Sequence, residues 1–547
     1  MSFFWNTLQN VWSQKAENAL YFLCIGFLFG WFFFSGLFFV FAIKEGVAPD
    51  ENYHLSLIYR IFDSHFSVPL IDEGLSLGLT DFLPLLYHRT VALLLPLNIF
   101  PVSDLIFLRL LNLFVSMGTI LFSFFTLRLI SNKKVVHVMG LVIMVALLPF
   151  VFLSTAVGYD PPTNFFAVGS LFLLFRLHQK FSPLFLLWLF VFLSLGALVK
   201  ITFLPYAFFV FLWILFIFWR HRTQMGMFRK AFFQNRRFFS IMFSAICIFV
   251  GANVYWYGGN LIRFHHLQPR CEQVFSEEKC SKNIFAARDM LFKKTRADRP
   301  LEYSFLQYAP VWISFMEKRI TGLVTFQKIC GGEFERSACE PVSRNVFWTE
   351  QHFFPPLAFS LLFFGFFLFA LFSAVLYGIT LIFPKRLSIF LKGESVSSLV
   401  IFCGLLFLCY VAILIIVNYQ GYTQLRVLEV GLHGRYLYPV FLPLIAFSVF
   451  FFFRLLPPLV SGMCVVLFLP IFLCAGLPLF LSTSESKFLL NTTYGQTVLP
   501  PPLCPKSTPN CQFDPQFFQY CQSERTWQCW EEKRRGVLFP HLFLSSS

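Results

Sequence analysis

Charged residues are scarce in this chain. Asp, Glu, Lys and Arg make up 13% of the 547 residues, whereas hydrophobic residues make up 57% and the mean hydropathy is +0.68. A soluble protein cannot bury that much apolar surface, so the composition predicts an all-α polytopic membrane protein. The sequence also lacks a P-loop, a Gly-rich dinucleotide fingerprint and a Gly-x-Ser-x-Gly elbow, which argues against nucleotide, dinucleotide and α/β-hydrolase chemistry.

Apolar runs of about bilayer-spanning length recur along the chain and predict about eleven transmembrane helices. They lie near residues 20–42, 104–130, 136–153, 162–178, 183–198, 203–219, 239–257, 355–383, 397–417, 436–453 and 459–482. The first run is too long for a signal-peptide core and no small-residue cleavage pattern follows it, so we expect it to remain as a helix. Residues 181–219 are almost continuously apolar, and a hairpin there has to turn around Lys200.

The short loops between these runs carry basic residues on one side of the membrane. When the helices are threaded alternately, that side receives Lys133, Lys134, Arg176, Lys180, Arg454 and the cations of segments 220–237 and 385–392. Segment 220–237 contains no acid. The positive-inside rule makes this side cytoplasmic, with the N-terminus inside and the C-terminus outside. The net charge of +15 therefore predicts contact with anionic membrane lipids, and we expect no nucleic-acid partner.

Cysteine is missing from the predicted cytoplasmic loops. Eight cysteines lie in segments predicted outside, namely Cys271, Cys280, Cys330, Cys339, Cys504, Cys511, Cys521 and Cys529. No pair has the Cys-x-x-Cys spacing of structural zinc, which favours disulfides in an oxidising compartment. Cys271–Cys280 and Cys330–Cys339 are the natural local pairs, and the four tail cysteines allow three pairings. We expect a transmembrane domain at residues 1–482, including outer loops 44–103 and 258–355, and an extracytoplasmic tail at 483–547.

Polar residues gather where the predicted helices meet the outer side, and ionisable residues at such positions are functional candidates. Pro49 fits the first turn of a helix that would place Asp50 and His54 on one face, with Glu51 beside them. The further candidates are His88, Arg89, Asp160, Lys200, Arg435 and Tyr436. The structural alternatives are an ordinary helix start at Asp50, a helix N-cap at Asp160 and a snorkelling side chain at Lys200.

Acids and cations on one membrane face suit transfer from a lipid-phosphate donor. A carboxylate can take the proton of an attacking hydroxyl, while cations stabilise charge on the departing phosphate oxygen. The Asp-Glu-x-x-His pattern also suits a metal, with Asp50, Glu51 or His54 as ligands for Mg²⁺ or Mn²⁺. A di-iron bundle needs a second Glu-x-x-His, which the sequence lacks. We therefore expect no required cofactor, and a divalent ion is the one metal for which the motif leaves room.

Several motifs resemble those of the GT-C superfamily, membrane glycosyltransferases that use polyprenyl- or dolichyl-phosphate-linked sugars. Pro49-Asp50-Glu51-x-x-His54 resembles the start of their first outer loop, and Leu83-Pro84-Leu85-Leu86-Tyr87-His88 resembles a later Pro-Pro-Leu-Tyr-Tyr segment with Leu83 in place of the first proline. Arg109-Leu110, Tyr159-Asp160-Pro161 and Lys200-Ile201-Thr202-x-x-Pro205 follow in the family's order. Gly434-Arg435-Tyr436-x-x-Pro439 resembles a motif of an uncharacterised bacterial branch of predicted membrane proteins.

The resemblance covers residues 20–455 and implies a GT-C-like fold with amphipathic helices in the first outer loop. It implies Asp50 as general base, Glu51 as its support or a metal ligand, and Lys200 and Arg435 near the lipid phosphate. The expected partners are a polyprenyl-phosphate-linked sugar donor and a glycan, lipid or protein acceptor, with inverting displacement at the anomeric carbon. The bacterial branch favours an inner membrane with a periplasmic site.

Two other function classes remain open from the sequence. A transporter or flippase of a lipid-linked or anionic solute would also place ionisable groups within a helical membrane protein. Transporters more often show internal repeats and broken helices that hold the site near the midplane, whereas the ionisable groups here gather at one surface. A scaffold protein would use the same polar face for docking, and it should tolerate replacement of Asp50.

Overall fold

The computed structural model describes residues 2–44, 47–64, 84–99, 101–234, 236–281, 286, 289–290, 292–294, 300–328, 348–353, 357–382, 397–428 and 432–483. Eight of its helices are long and apolar enough to cross a membrane. Large apolar side chains on these helices face outward, including Leu23, Phe34, Ile241 and Leu368. Such side chains need a lipid environment, and the predicted polytopic helical class is confirmed.

The N-terminal half contains fourteen α-helices whose bounds lie within the described residues. They are α1 (Ser2–Ala42), α2 (Glu51–Asp63), α3 (Leu86–Leu94), α4 (Asp104–Ile130), α5 (Lys134–Ala146), α6 (Leu148–Leu153), α7 (Asp160–Gln179), α8 (Pro183–Val199), α9 (Phe203–Arg220), α10 (Met225–Gln234), α11 (Arg236–Asn253), α12 (Gly259–Phe264), α13 (Cys271–Val274) and α14 (Glu277–Ser281). Helices α4, α7 and α8 pack side by side, and this row of helices positions the site.

The C-terminal half adds helices and one small sheet. The elements are α15 (Phe305–Thr321), β1 (Leu323–Lys328), β2 (Trp348–Phe353), α16 (Leu357–Ile382), α17 (Ser398–Leu425), a 3₁₀ segment (Gly434–Val440), α18 (Phe441–Leu455), α19 (Pro458–Ala475) and α20 (Leu477–Leu481). The strands pair antiparallel, with Leu323 opposite Phe353 and Lys328 opposite Trp348. This hairpin in the outer loop 258–355 was not part of the all-α prediction.

The predicted helices and the observed ones differ most at residues 136–153. Helices α5 and α6 replace one predicted helix because the chain is extended at Leu147 and Pro149 follows in the first turn of α6. Proline in a helix interior removes a hydrogen bond and clashes with the preceding turn, which accounts for the break. The hairpin around Lys200 forms as predicted, with α8 ending at Val199 and α9 beginning at Phe203.

Helices α2 and α3 form a small cap over one end of the row that α4, α7 and α8 form. Their apolar faces share a core that includes Leu55, Ile58, Val91, Leu95, Leu108, Val157 and Val199. The Asp-Glu-x-x-His motif lies at the start of α2, with Asp50 as its N-cap residue. Burial of the apolar face therefore fixes the motif against the ends of the membrane helices. The segment that joins α2 and α3 lies outside the described residues, as do Phe66, Leu70 and Phe82 of the predicted amphipathic pieces.

Candidate active site

One part of the site is a buried ion pair between Glu51 and Arg109. Arg109 Nε and Nη2 donate to the two Glu51 carboxylate oxygens at 2.9 and 2.6 Å, and both side chains are almost completely buried. Glu51 Oε1 also accepts from the Val157 amide at 3.2 Å. Arg109 Nη1 further donates to the backbone carbonyls of Val40 and Ile43 at the end of α1. One ion pair thus joins α1, α2, α4 and the loop before α7.

Asp50 lies beside this pair but faces a different partner. It is the N-cap residue of α2, with a left-handed backbone (φ 61°) and no hydrogen bond from its side chain to the helix. The Asp50 carboxylate instead pairs with Arg435 Nη2. Helix α2 starts at Glu51, so Pro49 precedes the helix rather than occupying its first turn. The Asp50 side chain therefore belongs to a charged cluster around Arg435 and does not cap the helix.

The charged cluster around Arg435 also contains Asp160 and Lys200. Lys200 Nζ lies 2.5 Å from Asp160 Oδ1, and Arg435 Nη1 lies 3.5 Å from Asp160 Oδ2. Asp160, Lys200 and Arg435 are each 7% exposed. The four charges alternate in sign in the order Asp50, Arg435, Asp160, Lys200. Each charge therefore has an opposite charge beside it, which offsets the cost of removing it from water. Lys200 therefore does not snorkel, and Asp160 pairs with a cation in addition to starting α7.

Two tyrosine rings line the cluster. Lys200 Nζ lies 4.4 Å from the centroid of the Tyr159 ring and 4.9 Å from that of Tyr436, both within cation–π range. The Tyr436 carbonyl accepts from the Tyr410 hydroxyl of α17 at 3.1 Å, which fixes this part of the 3₁₀ segment. Aromatic rings beside a buried ammonium form a wall that a sugar ring or a phosphate can approach.

His54 and His88 form a second, uncharged part of the site. His54 Nδ1 lies 2.8 Å from His88 Nε2, and the His54 ring meets the Tyr159 ring edge-on at 4.5 Å. Burial lowers the pKa of His54 to about 4, even though the Asp50 carboxylate opposes this shift. Burial also lowers the pKa of His88 well below its usual value. Both imidazoles are therefore neutral at physiological pH. Arg89 is exposed, so the structure does not bring it into the cluster.

The protonation of Asp50 follows from its partners. Burial alone would raise the pKa of this carboxyl, but the neighbouring Arg435 guanidinium lowers it by more, through its charge and its hydrogen bond. The pKa of Asp50 therefore lies well below its usual value, and the side chain is an ionised carboxylate that is held by a cation.

Three further residues complete the site, and none of them is among the site residues that the sequence predicts. The Tyr87 hydroxyl accepts from Asn112 Nδ2 and from the Gly158 amide, each at 3.0 Å, which ties α3 to α4 and to the loop before α7. Arg319 of α15 donates to the Leu432 carbonyl just before the 3₁₀ segment. Tyr87 lies in a quoted motif and Asn112 lies one turn after Arg109, whereas no sequence signal marks Arg319.

The predicted metal ligands are engaged with other protein groups. Both Glu51 oxygens bind Arg109, His54 Nδ1 binds His88, and Asp50 binds Arg435. Within the described part of the chain, no group of three or more His, Cys, Asp or Glu side chains comes together as a metal site. The arrangement does not suit Mg²⁺ or Mn²⁺, which need several free oxygen ligands, and we derive no step through a metal.

The cysteine prediction is tested at one pair. Cys271 and Cys280 form a disulfide that joins α13 and α14. Cys330, Cys339, Cys504, Cys511, Cys521 and Cys529 lie outside the described residues, and their pairing stays a prediction. The described cysteines of the apolar helices, such as Cys247 and Cys403, are free thiols.

Comparison with known proteins gives one match. Residues 96–268 match the family model described as dolichyl-phosphate-mannose-protein mannosyltransferase, a family of the GT-C superfamily. This match confirms the resemblance to GT-C glycosyltransferases for a segment that contains Arg109, Asp160 and Lys200. It does not include Asp50 or Arg435, and the bacterial branch is not tested by it. No curated protein and no solved structure gives a significant match to the chain.

Proposed function

We propose that this protein is a membrane glycosyltransferase that moves a sugar from a polyprenyl-phosphate-linked donor to an acceptor hydroxyl on the non-cytoplasmic face. The observation that carries the proposal is the cluster of Asp50, Arg435, Asp160 and Lys200, two carboxylates and two cations at the ends of packed membrane helices. The family match supports the donor class. The family's description names mannose, so mannose is the first sugar to test.

The proposed reaction is a single inverting displacement. The acceptor oxygen forms a bond to the anomeric carbon while the bond from that carbon to the phosphate oxygen breaks. The electron pair leaves with the polyprenyl phosphate, and the acceptor proton passes to the Asp50 carboxylate. Lys200 and Arg435 stabilise the charge that grows on the leaving phosphate oxygen. Catalysis then depends on cations that are already in position in a site with little water.

The neighbouring residues position this chemistry. We assign Glu51 a positioning role through Arg109, because both of its oxygens are engaged by the guanidinium. Tyr159 and Tyr436 form the wall beside Lys200 on which the donor sugar rests. The neutral His54 and His88 pair supports the Tyr159 ring. Arg89, which is exposed, is left for contact with the donor or acceptor outside the buried cluster.

The acceptor and the location are proposed at a coarser level. The acceptor is a glycan, lipid or protein that presents a hydroxyl at the membrane surface. We place the protein in a bacterial inner membrane with a periplasmic site, which rests on the Gly434-Arg435-Tyr436-x-x-Pro439 motif and on the basic loops predicted to be cytoplasmic. The cysteine-bearing outer segments are in keeping with that oxidising side.

The test is sugar transfer in membranes from cells that carry the intact gene, no gene, or a variant. Labelled polyprenyl-phosphate mannose and other polyprenyl-phosphate sugars are supplied, and label that leaves the donor lipid is measured. Asp50→Asn should lower transfer by about 10²- to 10⁴-fold, the range for loss of a general base. Glu272→Gln is the matched control, because this exposed carboxylate of α13 pairs with Lys293 away from the cluster.

The outcomes separate the function classes. Transfer by the intact protein and by Glu272→Gln, but not by Asp50→Asn at equal abundance, would support the enzyme and its base together. Transfer that survives in Asp50→Asn would remove Asp50 from the mechanism. Absence of transfer from every donor would refute the glycosyltransferase proposal and favour transport.

A further inference from the structure

The starting observation is that the candidate base already has a cation as its partner within the protein. Among the described residues, the Asp50 carboxylate forms an ion pair and a side-chain hydrogen bond with Arg435 alone. Arg435 also contacts Asp160, while its Nε is buried without a hydrogen-bond partner in the described part of the chain. A carboxylate held by a guanidinium accepts a proton poorly, because the cation favours its ionised form.

The charges of the cluster balance, and a phosphate would disturb that balance. Two carboxylates face two cations, so a lipid-linked phosphate would add negative charge beside Asp50 and Asp160. Arg435 Nη2 and Nη1 already face Asp50 and Asp160, so a phosphate that binds Nε brings its negative charge beside both carboxylates. The repulsion would displace the carboxylate that is held less firmly.

Asp50 is the carboxylate that the structure leaves free to move. Its side chain is 26% exposed, whereas that of Asp160 is 10% exposed and also holds Lys200 at 2.5 Å. Asp50 has a left-handed backbone and makes no cap hydrogen bond, so helix α2 does not anchor its carboxylate. The displacement of Asp50 therefore breaks one ion pair, whereas the displacement of Asp160 would break two.

A small cavity lies beside Arg435. It is lined mainly by apolar groups, including Pro49, Pro149, Phe152 and Leu153, and by the polar residues Arg319, His433, Arg435 and Tyr438. The Tyr438 hydroxyl is buried and has no hydrogen-bond partner among the described residues. A buried hydroxyl without a partner is costly, so Tyr438 and Arg435 Nε are donors that a phosphate oxygen in this cavity would satisfy.

We propose that Arg435 is shared between Asp50 and the donor phosphate, so that Asp50 becomes available as a base only after the donor binds. This inference rests on the proposed function and adds an order to it, with the donor first and acceptor activation second. When the phosphate takes the guanidinium, Asp50 loses the cation that weakens it as a base and turns toward the acceptor hydroxyl. The ligand chemistry is a phosphate on an apolar chain.

The experiment measures phosphate binding without any sugar transfer. Full-length protein in lipid nanodiscs is titrated with a radiolabelled C₂₀ polyprenyl phosphate, and inorganic phosphate is used as a competitor to test whether the lipid chain is required. The variants are Asp50→Asn, Arg435→Gln, the double variant, and Glu272→Gln as the control on the same face. If Asp50→Asn does not yield folded protein, Asp50→Ser replaces it.

The inference predicts a definite pattern of affinities for the lipid phosphate among the variants. Asp50→Asn should bind the lipid phosphate more tightly, on the order of fivefold, because the phosphate no longer displaces a carboxylate. Arg435→Gln should bind more weakly, and the double variant should bind like Arg435→Gln alone. A mere change in the local field would instead give the same tightening in both backgrounds, so the double variant isolates the shared arginine.

The results distinguish this inference from the proposed function. Unchanged or weaker binding by Asp50→Asn, or the same tightening in the Arg435→Gln background, would overturn the shared arginine even if the intact protein transfers sugar. The predicted binding pattern without transfer from any donor would keep the shared arginine and refute the glycosyltransferase. Absence of lipid-phosphate binding by the intact protein would overturn both.

Discussion

Glu51 and Asp50 are adjacent acids, and the structure predicts opposite consequences for their replacement. Glu51→Gln and Asp50→Asn each exchange a carboxylate for an amide of the same shape. Glu51 is fully buried and binds Arg109 through both oxygens, whereas the Asp50 side chain is 26% exposed and binds Arg435 through one. We expect Glu51→Gln to destabilise the protein strongly and Asp50→Asn to leave its stability nearly unchanged while abolishing transfer.

The magnitude follows from the groups that lose their partner. In Glu51→Gln the buried Arg109 charge is left without a counter-ion, a situation that costs about 3–5 kcal/mol. In Asp50→Asn the Arg435 guanidinium keeps Asp160, so the loss is about 1 kcal/mol or less. Asn also adopts the left-handed conformation of position 50 readily, which offsets part of that loss.

The assay is the free energy of unfolding of the purified protein in mixed micelles, measured for both variants and for Glu51→Gln with Arg109→Met. The double variant should recover part of the loss, because it removes the unpaired charge that the single variant leaves buried. Equal stability of Glu51→Gln and the unmodified protein would refute the positioning role. In that case a loss of transfer in Glu51→Gln would mean that Glu51 acts directly on substrate or metal.

Three further predictions follow from single contacts. A Cβ at Gly434 would clash with the backbone carbonyl oxygen of Arg319, so Gly434→Ala should cost about 1–3 kcal/mol of stability and most of the transfer. Gly421→Ala is the control and should cost neither, because the space around Gly421 is open. The His54 pKa is about 4 in the folded protein and near 6.5 in the unfolded chain, so the unfolded chain binds more protons between these two pH values. The free energy of unfolding should therefore fall by about 3 kcal/mol as the pH drops through this window. His54→Gln should flatten that slope in thermal melts measured over a series of pH values. The cysteines of Cys271–Cys280 should react with a membrane-impermeant maleimide only after reduction and only from the non-cytoplasmic side, and labelling from the cytoplasm would overturn the topology.

Local patterns in the sequence determined the helices with good accuracy. The run at 104–130 coincides with α4, and the hairpin around Lys200 forms within an apolar stretch that has no obvious break. Hydropathy and proline placement act over a few residues, so these features are readable without the fold. The Cys271–Cys280 pair was also accessible, because nine residues of separation make it local. Pro149 shows the limit, because hydropathy alone does not reveal that the run at 136–153 divides into two helices.

The sequence by itself therefore determined that this is a helical membrane protein and that its ionisable residues gather at helix ends. It did not determine which charges meet. Asp50 and Arg435 are 385 residues apart, and Glu51 and Arg109 are 58 apart, and only the packing of α1, α4, α7 and the 3₁₀ segment brings them together. A buried charge pairs with the opposite charge that the tertiary packing brings close to it, and that charge can come from any part of the sequence. The tertiary structure alone thus decided that Glu51 holds the scaffold and that Asp50 is held by Arg435.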